Sequence, residues 1–426
     1  RDTTFRNWGY PYICESIDLT ANWINLVFQP GVVVQLGYSL GISCNGTVTA
    51  IGTETQPITF TRLPSSTQNW RGFILNSGIT NAHFNHCLLE HCGSSNQYNH
   101  IQNAITFYNA DTVLIENTQI TDVYCRAIFI ESNNNDADNL TLSNVTISGC
   151  GMDAVYQNSS GCQLSINGLA VSNCSAFPLS ISGNWVHQLS NITLTSNAKN
   201  VIRIVNGGYL ASQTLANHGY PYWVSGYPLY VNYTTVNLEP GTVFYFESSL
   251  SLEVYGTLNA LGTADNPIVF TRPPDATYYW QGIIFRNNSN GDLQHCQFNY
   301  GGKANEYGYD ASLINNLGAT QLTMEHCLFT NVQAQAISCS EIYTGDSVTI
   351  NDVTINGCGT DGLWINDSDL NLVANNLIIS NCNRNPLSIL PVYAGSFTNL
   401  TLSDNATSEI RLFQSGYIDR SITFPN

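Results

Sequence analysis

The chain has 426 residues, with 13 Lys and Arg against 30 Asp and Glu, a formal net charge of −17. Only 10% of it is charged, against roughly a quarter in ordinary globular proteins, while 43% is hydrophobic, which excludes a disordered acidic tail and long solvated helices. Its two lysines, Lys199 and Lys303, cannot coat a phosphate backbone, so nucleic acid is excluded as a partner and acidic glycans are disfavoured.

From the start of the chain the pattern is one of short strands and turns. Gly9-Tyr10-Pro11-Tyr12 leads into Leu26-Val27-Phe28-Gln29-Pro30-Gly31-Val32-Val33-Val34, then Gly46-Thr47, Pro57-Ile58-Thr59-Phe60-Thr61-Arg62 and Trp70-Arg71-Gly72. The same series returns 210 residues later, as Gly219-Tyr220-Pro221-Tyr222, Pro240-Gly241, Gly256-Thr257, Pro267-Ile268-Val269-Phe270-Thr271-Arg272 and Trp280-Gln281-Gly282 (219 − 9 = 210). Cys150-Gly151 and Pro178-Leu179-Ser180-Ile181 return as Cys358-Gly359 and Pro386-Leu387-Ser388-Ile389 at an offset of 208. Two tandem units are therefore expected, residues 1–210 and 211–426, with no Gly/Ser/Pro-rich linker between them.

Each unit has a shorter period. Asn117, Asn144, Gly168 and Asn191 open successive segments of alternating apolar and polar residues, 27, 24 and 23 residues apart. His326, Asp352, Asn376 and Asn399 do the same at spacings of 26, 24 and 23. A half-buried strand returning at this interval, with Asn, Gly or Cys at the bend, predicts an all-β parallel β-helix, a solenoid of about 18 coils. Leucine-rich repeats share the period but need a Leu/Asn consensus that is absent here.

On these motifs the chain resembles secreted right-handed parallel β-helix repeat proteins of bacterial and archaeal surfaces. The second unit's Leu238-Glu239-Pro240-Gly241-Thr242-Val243, Gly256-Thr257-Leu258-Asn259-Ala260-Leu261-Gly262-Thr263 and Trp280-Gln281-Gly282-Ile283 carry it best. The resemblance implies the right-handed fold and an extracellular or cell-surface location. It leaves function open, because the family includes adhesins, structural proteins and polysaccharide-active enzymes.

Thirteen cysteines cannot all pair within one chain. Cys87/Cys296, Cys150/Cys358 and Cys174/Cys382 recur between units; Cys150 with Cys174, and Cys358 with Cys382, fall at the same place in neighbouring coils and are expected to stack as buried free thiols. About eleven Asn-x-Ser/Thr sequons, Asn45, Asn139, Asn191 and Asn399 among them, are compatible with glycosylation. No apolar run is long enough to span a membrane. Arg1 opens no signal-peptide pattern, so the chain reads as a mature or excised segment.

Candidate chemistry is sparse. His83-Phe84-Asn85-His86-Cys87-Leu88-Leu89-Glu90-His91-Cys92 has zinc-ligand residue types, but strand alternation sends neighbours to opposite faces, so no metal is expected there. Asn133-Asn134-Asn135-Asp136-Ala137-Asp138 offers oxygen ligands for calcium, or simply a polar turn. Asp361 with Asp367 and Asp369 is similar to the aspartates of polygalacturonase-type β-helix hydrolases, but at Asp153, the equivalent of Asp361, Gln157 and Asn158 stand near where the other acids would be. The recurrent arginines Arg62/Arg272 and Arg203/Arg411 have no acidic cluster beside them in sequence. Trp70, Trp280, Tyr278, Tyr279, Tyr307 and Tyr309 either pack loops onto the wall or stack on neutral sugars. No catalytic residue and no cofactor are assigned.

The two ends are alike in repeat phase. Thr3-Thr4-Phe5-Arg6-Asn7 resembles Ile422-Thr423-Phe424-Pro425-Asn426, and neither end carries an amphipathic cap. The expected function is an extracellular structural or adhesive rod. Its partner would be itself, stacked head to tail into a filament through Thr3, Thr4, Phe5 and Asn7 on one side and Ile422, Thr423, Phe424 and Asn426 on the other. The alternative is a protein that binds or degrades polysaccharide, with neutral surface glycans as its partner.

Overall fold

The computed structural model describes residues 2–94, 103–131, 138–304, 311–340 and 345–412. It is an all-β parallel solenoid of about 16 turns. The only helices among the described residues are two short 3-10 segments, Gly183–Gln188 and Pro391–Tyr393. The turn count falls just short of the 18 expected because some turns carry long loops. Val48 pairs with Ala82, 34 residues on, whereas Leu140 pairs with Leu164, only 24 residues on. Contacts divide the chain into two compact units, Arg1–Asn206 and Gly207–Asn426.

In the first unit each turn lays down three faces. Thr112–Glu116, Gln119–Val123 and Ile128–Glu131 form one turn. The next stacks on it in parallel register, with Val113 beside Leu140, Ile120 beside Ile147 and Ile128 beside Val155. Alternation then does what the sequence pattern asks: Val113 and Ile115 are buried while Thr112, Leu114 and Glu116 are not. Because like positions stack, each inward aliphatic meets another, and each such burial is worth about 1.5–3 kcal/mol.

Left-handed residues make the corners. Asn117, Asn144, Gly168 and Asn191 have φ of 45°, 52°, 78° and 51°. Five residues on, Asp122, Gly149, Asn173 and Ser196 have φ of 51°, 69°, 57° and 55°. Asn, Asp and Gly reach this region at little cost, which is why the period is written in those residues. The corner side chains also tie the turns together. Asn144 Nδ2 donates to Asn117 Oδ1 at 3.3 Å, and Asn117 Nδ2 donates to Asn85 Oδ1 at 3.1 Å.

The second unit repeats the device with different side chains. His295, His326, Asp352, Asn376 and Asn399 occupy one corner at φ of 47–55°. The rings of His295 and His326 stack there at 4.6 Å. Inside, Phe244, Phe270, Phe298 and Phe329 form a column with successive centroids 5.6, 5.3 and 4.8 Å apart. Outward positions carry Asn, Thr and Ser in register, Asn237 beside Asn259 and Thr323 beside Thr349, so the wall stacks without like charges facing each other.

Candidate functional site

The histidine–cysteine run divides as alternation requires. Cys87 and Cys92 are buried, while His83 contacts Glu116 at 2.8 Å and His91 contacts Asp122 at 3.6 Å on the outside. Among the described residues, no group of three or more His, Cys, Asp or Glu side chains could hold a metal ion. Of the calcium candidates, residues 133–137 lie outside the described residues, and Asp138 is buried.

Asp153 and Asp361 are committed to the fold. Asp361 is 2% exposed; its Oδ1 accepts from the backbone N–H of Asn385 at 3.2 Å and its Oδ2 from Ser388 Oγ at 3.0 Å. Asp153 makes the same pair with the N–H of Phe177, at 3.1 Å, and Ser180 Oγ, at 2.9 Å. Each carboxylate latches its own turn to the next. Asp367 instead accepts from the N–H of Asp369 at 3.0 Å within its loop. Gln157 is likewise buried, donating to the Cys162 carbonyl and accepting from the Ser182 N–H.

The arginines serve loops and latches. Arg62 Nη1 donates to the Thr67 carbonyl at 2.8 Å, and Arg272 Nη1 to the Tyr278 carbonyl at 2.8 Å. Arg272 also lies 4.0 Å from the centre of the Tyr300 ring. Arg203, which has no acid near it in sequence, reaches Asp153 at 3.7 Å and covers the Phe177 ring at 4.5 Å.

All thirteen cysteines are buried free thiols. Burial pushes Cys44, Cys87, Cys162 and Cys339 up to about 12. Cys358 sits in register beside Cys382, and contact with that thiol, then burial, raises it further. A thiol that stays protonated is a poor nucleophile and a poor metal ligand.

Trp70 and Trp280 are fully buried, and their indole N–H groups donate to the carbonyls of Glu90 and Asn299 at 2.9 and 2.8 Å. They pack the wall. Tyr307 and Tyr309 lie outside the described residues, as do Ile422, Thr423, Phe424 and Asn426. Thr3, Thr4 and Phe5 form a strand paired with Leu26, Val27 and Phe28. Asn7 is used locally, donating from Nδ2 to the Pro30 carbonyl and accepting from the Gly9 N–H. The sequon asparagines Asn45, Asn191 and Asn399 place their amides on Asn22, Asn167 and Asn375 of the preceding turn, and Asn139 places its amide on the Asp111 carbonyl.

One concave site of about 320 Å³ lies in the first unit, lined by Tyr38, Thr67, Gln68, Asn69, Ser94 and Tyr124. Tyr38 is 49% and Tyr124 64% exposed. The loop between them is held in shape: Ser66 Oγ donates to the Gln68 carbonyl at 2.8 Å, and Asn69 Nδ2 donates to the Cys92 carbonyl at 3.1 Å. Ser94 is 4% exposed, and its buried hydroxyl has no partner among the described residues. Sequence reasoning singled out none of these residues. The signal it passed over was a break in the repeat, since Tyr38, Ser94 and Tyr124 align with Ser248, Lys303 and Gln333 (offsets 210, 209 and 209).

No family model matches the chain, and no curated protein matches it. Among solved structures it is similar to a GH136 lacto-N-biosidase from Eubacterium ramulus, at 11% identity and a TM-score of 0.18. The match covers 90% of this chain and 63% of that one, so the chain spans less than two thirds of that protein's length.

Proposed function

We propose that the chain is an extracellular structural or adhesive β-solenoid. The observation that carries this reading is the use made of Asp153 and Asp361. These are the aspartates that sequence would pick for hydrolysis, and both spend their oxygens on holding one turn to the next. Glycoside hydrolysis needs a pair of carboxylates about 5–10 Å apart and free to meet substrate and water. The stacked Asn, Ser and Thr of the outer wall and the buried thiols of the core fit a scaffold.

Head-to-tail stacking into a filament belongs to the same proposal. It is supported by the likeness of Thr3-Thr4-Phe5-Arg6-Asn7 to Ile422-Thr423-Phe424-Pro425-Asn426. Electron microscopy over a concentration series tests it: filaments that lengthen with concentration are expected, and monomers alone at every concentration overturn it. Among the described residues no helix is long and apolar enough to cross a membrane.

A further inference from the structure

We propose that the pocket between Tyr38 and Tyr124 binds a neutral saccharide. The proposal gives the adhesive half of the function above a ligand class, and it rests on that reading only there. Tyr38 and Tyr124, both open to solvent, line the site together with Thr67, Gln68, Asn69 and Ser94. A pyranose ring has an apolar C–H face and a rim of hydroxyls, so it suits aromatic walls with amide and hydroxyl groups between. The volume, about 320 Å³, lies at the small end of the range for ligand sites and fits one or two sugar rings.

Among the described residues that line the pocket there is no Lys, Arg, Asp or Glu. The nearby Arg62 guanidinium is committed to the Thr67 carbonyl. A chain of net charge −17 also repels acidic glycans. The Ser94 hydroxyl gives a second, independent reason: it has no partner among the described residues, and a turn of that side chain would present it to a ligand hydroxyl. Preorganisation is in place, because the Ser66–Gln68 hydrogen bonds and the Asn69–Cys92 hydrogen bond fix the loop before anything binds.

The second unit provides an internal comparison. Lys303, aligned with Ser94, donates from Nζ to the hydroxyl of Ser248, aligned with Tyr38, at 2.9 Å. Gln333 stands where Tyr124 does. Those positions are joined to each other and lack the tyrosine pair. The first unit departs from that pattern at Tyr38, Gln68, Asn69, Ser94 and Tyr124, which align with Ser248, Tyr278, Tyr279, Lys303 and Gln333, while Thr67 is kept as Thr277.

The test is an array of neutral and acidic oligosaccharides, followed by titration of the strongest neutral ligand (glucose, galactose, mannose or N-acetylglucosamine series) by calorimetry. The full chain is compared with Tyr124→Ala, Tyr38→Ala, Gln68→Ala and, as a control outside the pocket, Tyr233→Ala. Tyr124 and Gln68 are exposed, so their variants keep the wild-type melting temperature. The expected result is binding to a neutral glycan, weakened about three- to tenfold by either pocket tyrosine variant, about the loss of one aromatic contact, and unchanged in Tyr233→Ala. Silence of the neutral panel, preference for acidic glycans, or binding that survives both tyrosine substitutions would overturn it. A chain that forms filaments but binds no neutral glycan sinks this inference alone, and one that binds through the tyrosines but never assembles sinks only the filament.

Discussion

Ser388 donates its hydroxyl to Oδ2 of Asp361 at 3.0 Å, across 27 residues of chain and one turn of the solenoid. The same carboxylate takes the Asn385 N–H on its other oxygen, so a single side chain closes two bonds between adjacent turns. Removing it in Asp361→Ala strands both donors in a buried site. A loss of about 3 kcal/mol in unfolding free energy is expected, read from the urea midpoint, with Asp361→Asn losing less because it keeps an acceptor. Asp153→Ala should behave alike in its own unit, because Ser180 and Phe177 make the equivalent bonds. A variant with wild-type stability would show that the latch contributes nothing.

The thiols set an alkaline limit. Burial holds Cys44, Cys87, Cys162 and Cys339 protonated up to about 12, against an ordinary value of 9.0. The folded chain therefore keeps protons that the unfolded chain releases above pH 9, and stability is full below that point and drains away as pH rises toward 12. Two measurements check this. Urea midpoints should fall between pH 9 and 11, and a thiol-reactive chromophore should label none of the thirteen cysteines at pH 8 until denaturant is added. Rapid labelling of the native chain would contradict the burial.

How much of this could be read from sequence depended on how few residue types each position accepts. Corners at Asn117, Asn144, Gly168 and Asn191 were legible because the left-handed region admits little else at low cost. The corner at Tyr300 was not, because a tyrosine rarely marks φ near +50°. The parallel solenoid followed from alternation plus period. The fate of Asp361 did not, since its partners stand a full turn away and no spacing rule joins an Asp to a Ser 27 residues on. The pocket was hidden for the same reason: Tyr38, Ser94 and Tyr124 come from different turns and meet only once those turns are stacked.

Gly72 and Gly282 close the Trp-x-Gly motif by backbone approach. Their φ values are +110° and +142°, where a side chain is strained whatever the space around it. A Cβ on Gly72 would meet the carbonyl oxygens of Asn103 and Ala104, the latter at 2.6 Å; on Gly282 it would meet that of Ser312 at 2.6 Å. Gly72→Ala and Gly282→Ala should each cost about 3 kcal/mol or more, combining backbone strain with displacement of the next turn. Gly219→Ala is the comparison: φ is +79° but nothing lies within 4 Å, so only the backbone cost, on the order of 1 kcal/mol, is expected. Equal midpoints for Gly282→Ala and Gly219→Ala would mean that the close approach carries no weight.

The phenylalanine column distinguishes packing from mere burial. Phe270 lies between Phe244 and Phe298 with centroids at 5.6 and 5.3 Å and planes within 8° of parallel. Phe270→Ala removes a fully buried ring and both stacks at once, in a column where neighbours above and below are fixed by strand register and cannot collapse inward. The expected loss is about 3–5 kcal/mol. Phe270→Leu restores much of the volume and should recover more than half of it, with the remainder assigned to ring-on-ring contact at about 0.5–1.5 kcal/mol per pair. Double variants with Phe298→Leu measure that contact directly. If the two Leu substitutions add without coupling, the column is held by burial alone.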